Sequence, residues 1–217
     1  RAPKAVVNVN LTTSDATKTL AAGTAFTTTV DGVSYQFVTI ADRSAANSGN
    51  VVTFDSVDIY EGTYVIGKSI VDTSNPDQKF TLTDPNADTS TLTVKVQNST
   101  SDTTTTTYTK ATDITQLNSS STVYYLQEAE RGRFEVYFGD GVVSKALTNG
   151  NIVILQYVVT NKGVANGVST FSSSTAIDGV TDVVVTTVSG AVGGAEPETV
   201  DSIKLNAPLN YSAQGRA

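Results

Sequence analysis

The 217-residue chain has no histidine, cysteine, methionine or tryptophan. Without histidine or cysteine it has no zinc site of the common kind, no Ser-His-Asp or Cys-His nucleophile pair and no disulfide framework. Basic residues are also few, 14 Lys+Arg against 21 Asp+Glu for a net charge of −7. No basic stripe is present, which excludes the phosphate neutralisation that nucleic-acid binding needs. The longest apolar run, Ile152 to Leu155, falls far short of the roughly 20 residues that span a bilayer. No charged-then-apolar leader opens the chain. These absences lead us to expect a soluble protein with no nucleic-acid partner, no membrane partner and no cofactor. The start at Arg1 and the ending Gln214-Gly215-Arg216-Ala217 read as the limits of a piece cut from a longer polypeptide.

What is present is β-forming. Thr and Val abound, and their branched Cβ suits a pleated surface. Leu92, Val94 and Val96 alternate with Thr91, Thr93 and Lys95, and Phe134, Val136 and Phe138 alternate with Arg133, Glu135 and Tyr137. Period two of this kind marks half-buried strands. From Asn151 to Val159 both parities are apolar, which predicts a central strand covered on both sides. Asp31-Gly32 between Thr24–Val30 and Val33–Ile40 predicts a two-residue type I′ hairpin. Further strands are expected at Ala5–Leu11, Val51–Tyr60, Thr63–Val71, Phe80–Thr83, Val123–Gln127 and Asp182–Val188. Asp72–Asp77 and the Thr-rich stretch Asn98–Thr107 read as surface loops or an exposed edge. Pro197-Glu198, followed by Val200, Ile203 and Leu205, predicts one short helix that Pro208 stops. The expected fold is therefore mainly β, with antiparallel β-sandwich-like domains and one short C-terminal helix. The expected division is 1–120 as a β-rich domain, 121–195 as a second β domain, and 196–217 as a helix and linker, with the break near Ser119–Ser121.

The motifs that resemble chemistry have plainer readings. Asp84-Pro85-Asn86-Ala87-Asp88 opens like an EF-hand loop, but Thr89 stands where its glycine is needed and Lys95 where a bidentate Glu should close it; it reads as a turn between strands. Gly139-Asp140-Gly141 reads as a hairpin turn, since Val142-Val143-Ser144-Lys145 opens no helix to hold an anion. Ser144 and Lys145 are neighbours and would point to opposite faces of a strand, so they make no catalytic pair. Glu128 and Glu130 are spaced to share a strand face, as glycosidase carboxylates do, yet read as a solvated edge paired with Arg131 or Arg133. Asn-x-Ser/Thr triplets begin at Asn10, Asn98, Asn118 and Asn210, which chance explains in such a composition. We assign no catalytic, cofactor-binding or metal residue, and expect no enzyme activity.

One resemblance goes further. Tyr124-Tyr125-Leu126-Gln127-Glu128, Arg133 to Gly141 with its Phe-Gly-Asp-Gly strand end, Asn149 to Tyr157, and Thr160-Asn161-Lys162-Gly163-Val164-Ala165-Asn166-Gly167 resemble the baseplate J-like family of contractile phage tails, and within it the large wedge subunit of the gene product six type. Glu196 to Pro208 with Gln214-Gly215-Arg216-Ala217 is similar to the family's segment leading into the next domain. Residues 1 to about 122 resemble it only through Arg1-Ala2-Pro3 and Phe26–Gly32, as a lineage-specific insertion would. The resemblance implies a virion protein of the tail baseplate, assembled in the host cytoplasm. It further implies a scaffold that joins other baseplate wedge proteins, forms a homodimer within the wedge, and holds a ring that rearranges when the tail contracts. It carries over no active site. From the residues alone, a bacterial cell-surface, adhesin-type β-sandwich binding module stays open as the alternative.

Overall fold

A computed structural model describes residues 1–173, 175–198, 201, 202, 204–206 and 208. Six strands come first: β1 (Lys4–Thr12), β2 (Thr17–Leu20), β3 (Ala25–Val30), β4 (Val33–Val38), β5 (Arg43–Ser48) and β6 (Val51–Glu61). Seven more follow: β7 (Thr63–Ile70), β8 (Phe80–Leu82), β9 (Ala87–Gln97), β10 (Thr105–Lys110), β11 (Val123–Glu128), β12 (Phe134–Tyr137) and β13 (Ile152–Val159). The last two are β14 (Ser172–Ser173) and β15 (Val183–Val192).

These strands form two sheets. The first runs β14-β3-β4-β6-β1-β15, with β5 on the early part of β6 and β2 on β5. The second runs β7-β13-β9-β10-β11-β12-β8. The first sheet is thus built from both ends of the chain, and the second entirely from residues between β6 and the end of β13. Each sheet has its own core. In the first, Ala5, Val7, Val9 and Leu11 of β1 meet Val52, Phe54, Val57 and Ile59 of β6 under Phe26, Phe37 and Phe171, with Phe37 and Phe171 in edge-to-face contact at 4.9 Å. In the second, Val94, Val96, Val153, Leu155 and Tyr157 share one cluster with Phe80, Leu82, Tyr124 and Val136, so this sheet folds over on itself.

The expected strands are present, all strand pairs being antiparallel except β10–β11. β13 is central, between β7 and β9, with buried residues of both parities. The β3–β4 hairpin closes at Val30↔Val33 with positive φ at Asp31 and Gly32, the type I′ geometry in which glycine relieves the steric cost. Four strands were not anticipated, β2, β5, β10 and the two-residue β14. Their exposed, Thr-, Ala- and Ser-rich sequences offer no apolar alternation to read. The part of the Thr-rich stretch in β10, Thr105–Thr107, is exposed and pairs with β9 alone, β11 joining β10 only at Thr109 and Lys110, so it is the exposed edge expected there. The break near Ser119–Ser121 lies inside the second sheet: β10 and β11 flank it and pair in parallel through Thr109↔Val123 and Lys110↔Tyr124. The C-terminal helix α1 comprises the described residues 201, 202, 204–206 and 208, and the Glu198 carboxylate accepts from Ser202 Oγ at 2.6 Å and Asn206 Nδ2 at 2.8 Å. Pro208, expected to end the helix, is itself helical, since its locked φ suits that conformation. Val200, Ile203, the Asn210 triplet and the Gln214–Ala217 ending lie outside the described residues.

Between β9 and β10 the Asp102 carboxylate accepts from Asn98 Nδ2 at 2.8 Å and from the Thr104 amide at 3.0 Å. These bonds, the Asn98 one foremost, hold its pKa below the ordinary 3.8. A depressed carboxyl stabilises the fold above its unfolded pKa and loses that contribution as pH falls through the folded value. Amide exchange at Asn98–Thr104 should therefore accelerate selectively as pH is lowered below about 3.8, after correction for intrinsic rates, and Asp102→Asn should flatten that dependence. At the β3–β4 turn, Gly32→Val should cost about 1–2 kcal/mol in urea unfolding, the usual penalty for a left-handed side-chain-bearing residue.

Candidate functional site

The chain crosses between the two sheets twice, and the crossings are adjacent. On the way out, β6 ends at Glu61, β7 begins at Thr63, and Gly62 alone makes the passage. On the way back, β13 ends at Val159, and Thr160-Asn161 lead into a 3-10 turn, Lys162–Ala165, whose Ala165 sits in the core of the first sheet. β7 and β13 pair along their whole length, from Thr63↔Val159 to Ile70↔Ile152.

A buried carboxylate ties the crossings together. Glu61, only 1% exposed, accepts from Thr160 Oγ1 at 2.6 Å and the Asn161 amide at 2.9 Å through Oε2, and from Asn161 Nδ2 at 2.7 Å through Oε1. Taking a carboxylate out of water costs several kcal/mol, and three hydrogen bonds to a charged acceptor, each worth about 1.5–3 kcal/mol, offset that cost. Gly62 fits because it has no Cβ. Its φ is +126°, and a Cβ there would stand 2.1 Å from the Val159 carbonyl oxygen.

A second carboxylate works from the other side. Asp88, 5% exposed at the start of β9, accepts from the Ala2 amide at 2.7 Å and from the Ser90 amide and hydroxyl at 3.0 and 2.7 Å. It thereby fastens the N-terminal end of the first sheet to the second. The exit strand is latched over the same place: the Arg1 ammonium donates to the Ala195 carbonyl at 2.9 Å, the Ala195 amide donates to Arg1 O at 3.1 Å, and Lys162 Nζ pairs with Glu196 at 2.9 Å. A cleft of about 650 Å³ opens beside this latch between Gln36, Glu61, Asn161 and Lys162, and another of about 570 Å³ between Arg1, Asp88, Glu128 and Phe134.

The residues singled out in the sequence are dispersed. Asp84 forms a turn, accepting from the Asn86 amide at 2.8 Å, while Asp88 of the same stretch belongs to the junction. Gly139-Asp140-Gly141 turns the chain through an Asp140 Oδ1 bond to the Val142 amide and a Gly141-to-Ser144 backbone bond. It is not a hairpin turn, because β12 pairs with β11 and β8, whereas the following strand β13 pairs with β7 and β9. Ser144 is buried and Lys145 exposed. Glu128 borders the smaller cleft and Glu130 sits in an exposed 3-10 turn. Among the described residues the ion pairs are Lys4–Asp58, Lys18–Asp15, Lys79–Glu135 and Lys162–Glu196, so Arg131 and Arg133 pair with neither glutamate. Asn10 lies in β1, and Asn98 and Asn118 stand at turns. Among the described residues no three of His, Cys, Asp and Glu group as metal ligands would. The junction residues Glu61 and Asp88 were missed as a pair, and the one local signal was a charged residue closing an otherwise alternating strand directly before a glycine.

The second sheet overlaps a recognised unit. Residues 68–171, just under half of the chain, match the third domain of the bacteriophage baseplate wedge protein gp6. The likeness is to a phage baseplate wedge subunit. The chain is also 25% identical over 207 residues to the baseplate wedge protein gp6 of Enterobacteria phage T4, an alignment covering 84% of the chain but 30% of that protein. The location that goes with this likeness is the virion tail baseplate. The match begins at residue 68, well upstream of the Val123 stretch that suggested it in the sequence, and takes in most strands of the second sheet.

Glu61→Gln should lower stability by about 1–3 kcal/mol, because an amide NH₂ then faces donors. Gly62→Ala should cost about 2–6 kcal/mol from backbone strain and overpacking together. Urea unfolding followed by amide exchange should show Glu61→Ala loosening Thr160–Lys162 first, ahead of either sheet.

Proposed function

We propose that this chain is a structural segment of a contractile-tail baseplate wedge, scaffolding the ring and its rearrangement on contraction. In this reading it docks against other wedge proteins and against a second copy of itself. The observation that carries the reading is the junction. Two sheets with separate cores are fastened at adjacent crossings by Glu61 and Gly62, with Asp88 and Lys162–Glu196 beside them. A part that must transmit force needs its halves held in one orientation, and buried, fully bonded carboxylates supply that constraint. The likeness to a wedge protein supports the same reading. We propose further that the units are nested, with 63–159 inserted into a unit made of 1–61 and 161–195. The adjacent ends of the insert suit this, since insertions are tolerated where entry and exit lie close together.

The test is gold-labelled antibody against this chain, applied to contractile-tailed particles and to host cells and viewed in negative stain. Label confined to the plate end of the tail is the expected result. Label on cell envelopes with bare particles would overturn the reading in favour of a cell-surface module.

A further inference from the structure

The sheets leave several strand edges, and most are closed. β2 is capped by Asp178, whose carboxylate accepts from the Thr19 amide at 2.9 Å and whose carbonyl accepts from Lys18 Nζ at 2.8 Å. β15 is covered near its end by Gly167 and Val168, which exchange backbone bonds with Ala191. β8 and β14 are too short to template a partner. β7 is different: it is eight residues long, its pairing with β13 has no bulge, and its far side has no strand.

The two ends of β7 show which backbone groups face outward. The Gly62 amide donates away from β13 to Gln36 O at 2.9 Å, and Ile70 O accepts from Gln78 Nε2 at 3.0 Å. Alternate residues of an antiparallel strand face the same side, so the N–H and C=O of Ile66 and Lys68, midway between, also face outward. Among the described residues neither has a backbone partner on that side.

The side chains of the same residues lie on the face opposite the core. Register sets Lys68, Ile154 and Lys95 in one row across β7, β13 and β9, with Ile70, Ile152 and Gln97 in another. Ile66 is 51% and Ile70 61% exposed, whereas Ile154, flanked on both sides by lysines, is 7% exposed. Neither Lys68 nor Lys95 is in an ion pair among the described residues. A chain of net charge −7 thus carries an open strand edge beside an apolar face with two unpaired cations. Natural edges of this length are ordinarily blunted by a bulge, a proline, a covering loop or charged side chains, and of these β7 carries Lys68 alone.

We propose that β7 is a docking edge for an extended segment of another protein chain, one that alternates apolar and acidic side chains. The segment would add as a further strand to the second sheet, its backbone pairing with Ile66 and Lys68. Its acidic side chains would lie on the face of Lys68, with Lys95 two strands further in, and its apolar ones on the opposite face beside Val65. This deepens the wedge reading, on which it rests for the partner's being another component of the same assembly.

The experiment uses the full chain labelled for amide-resolved NMR and two decapeptides, one alternating Val and Glu and one alternating Val and Lys. Expected is binding of the Val/Glu peptide with new exchange protection at Ile66 and Lys68. The Lys68→Glu, Lys95→Glu double variant, substituted at solvent-facing positions, should bind about tenfold more weakly while retaining the parent spectrum elsewhere. Equal binding of the Val/Lys peptide, or protection absent from Ile66 and Lys68, would overturn the proposal. So would protection at Ile66 that rises with protein concentration alone, since the edge would then be taken by a second copy. Antibody labelling of particles is independent of all these outcomes, so failure here and failure of the wedge reading are separately visible.

Discussion

The rest of the molecule depends on the Glu61 carboxylate. A chain that leaves one sheet, builds a second of seven strands and returns must bring its two crossings together, or the sheets are joined by two slack linkers. Glu61 satisfies both oxygens on Thr160 and Asn161, the first residues of the return. Desolvation of the carboxylate roughly cancels what those bonds contribute, so the consequence is geometric: the crossings are held where both carboxylate oxygens meet donors. Gly62 narrows the choice further, because its backbone packs on the Val159 carbonyl. Asp88 and the Arg1–Ala195 and Lys162–Glu196 contacts then act on an orientation already chosen.

That orientation decides what the surface offers. With the crossings closed, β7 starts beside β4 but diverges from it, leaving the middle of β7 without a strand on the side away from β13. The same topology turns Lys68 and Lys95 to one face. An otherwise acidic chain thereby acquires a local basic and apolar strip. The likeness to a baseplate wedge protein fits a molecule whose chemistry lies in its edges and its rigidity.

Much of the fold was legible because most strands carry their own signal. Ala5–Leu11 alternates, Asn151–Val159 is apolar on both parities, and Asp31-Gly32 admits few conformations other than a tight hairpin. β2, β5 and β10 were not legible, because Thr, Ser and Ala on mainly exposed strands give no contrast between faces. A domain break was expected within the Ser/Thr-rich stretch before Val123, near Ser119–Ser121. It is instead flanked by paired strands, β10 and β11, because parallel pairing needs a long connection. The site was less legible still. Asp88 was noticed only for a superficial likeness to a metal loop, and Glu61 only as half of a turn signal.

By itself the sequence determined the class of structure and the chemistry it lacks. Period-two apolar patterning allows half-buried strands and little else, and absent histidine and cysteine remove their reactions whatever the fold. Only the tertiary structure decided which strands share a sheet, that 63–159 lies within the span of the first sheet's strands, that residue 61 meets 160–161, and that 88 meets the N-terminus. The reason is that strand patterning specifies a face and not a neighbour. A buried carboxylate finds its donors through contacts about a hundred residues apart in the chain, which no local spacing encodes.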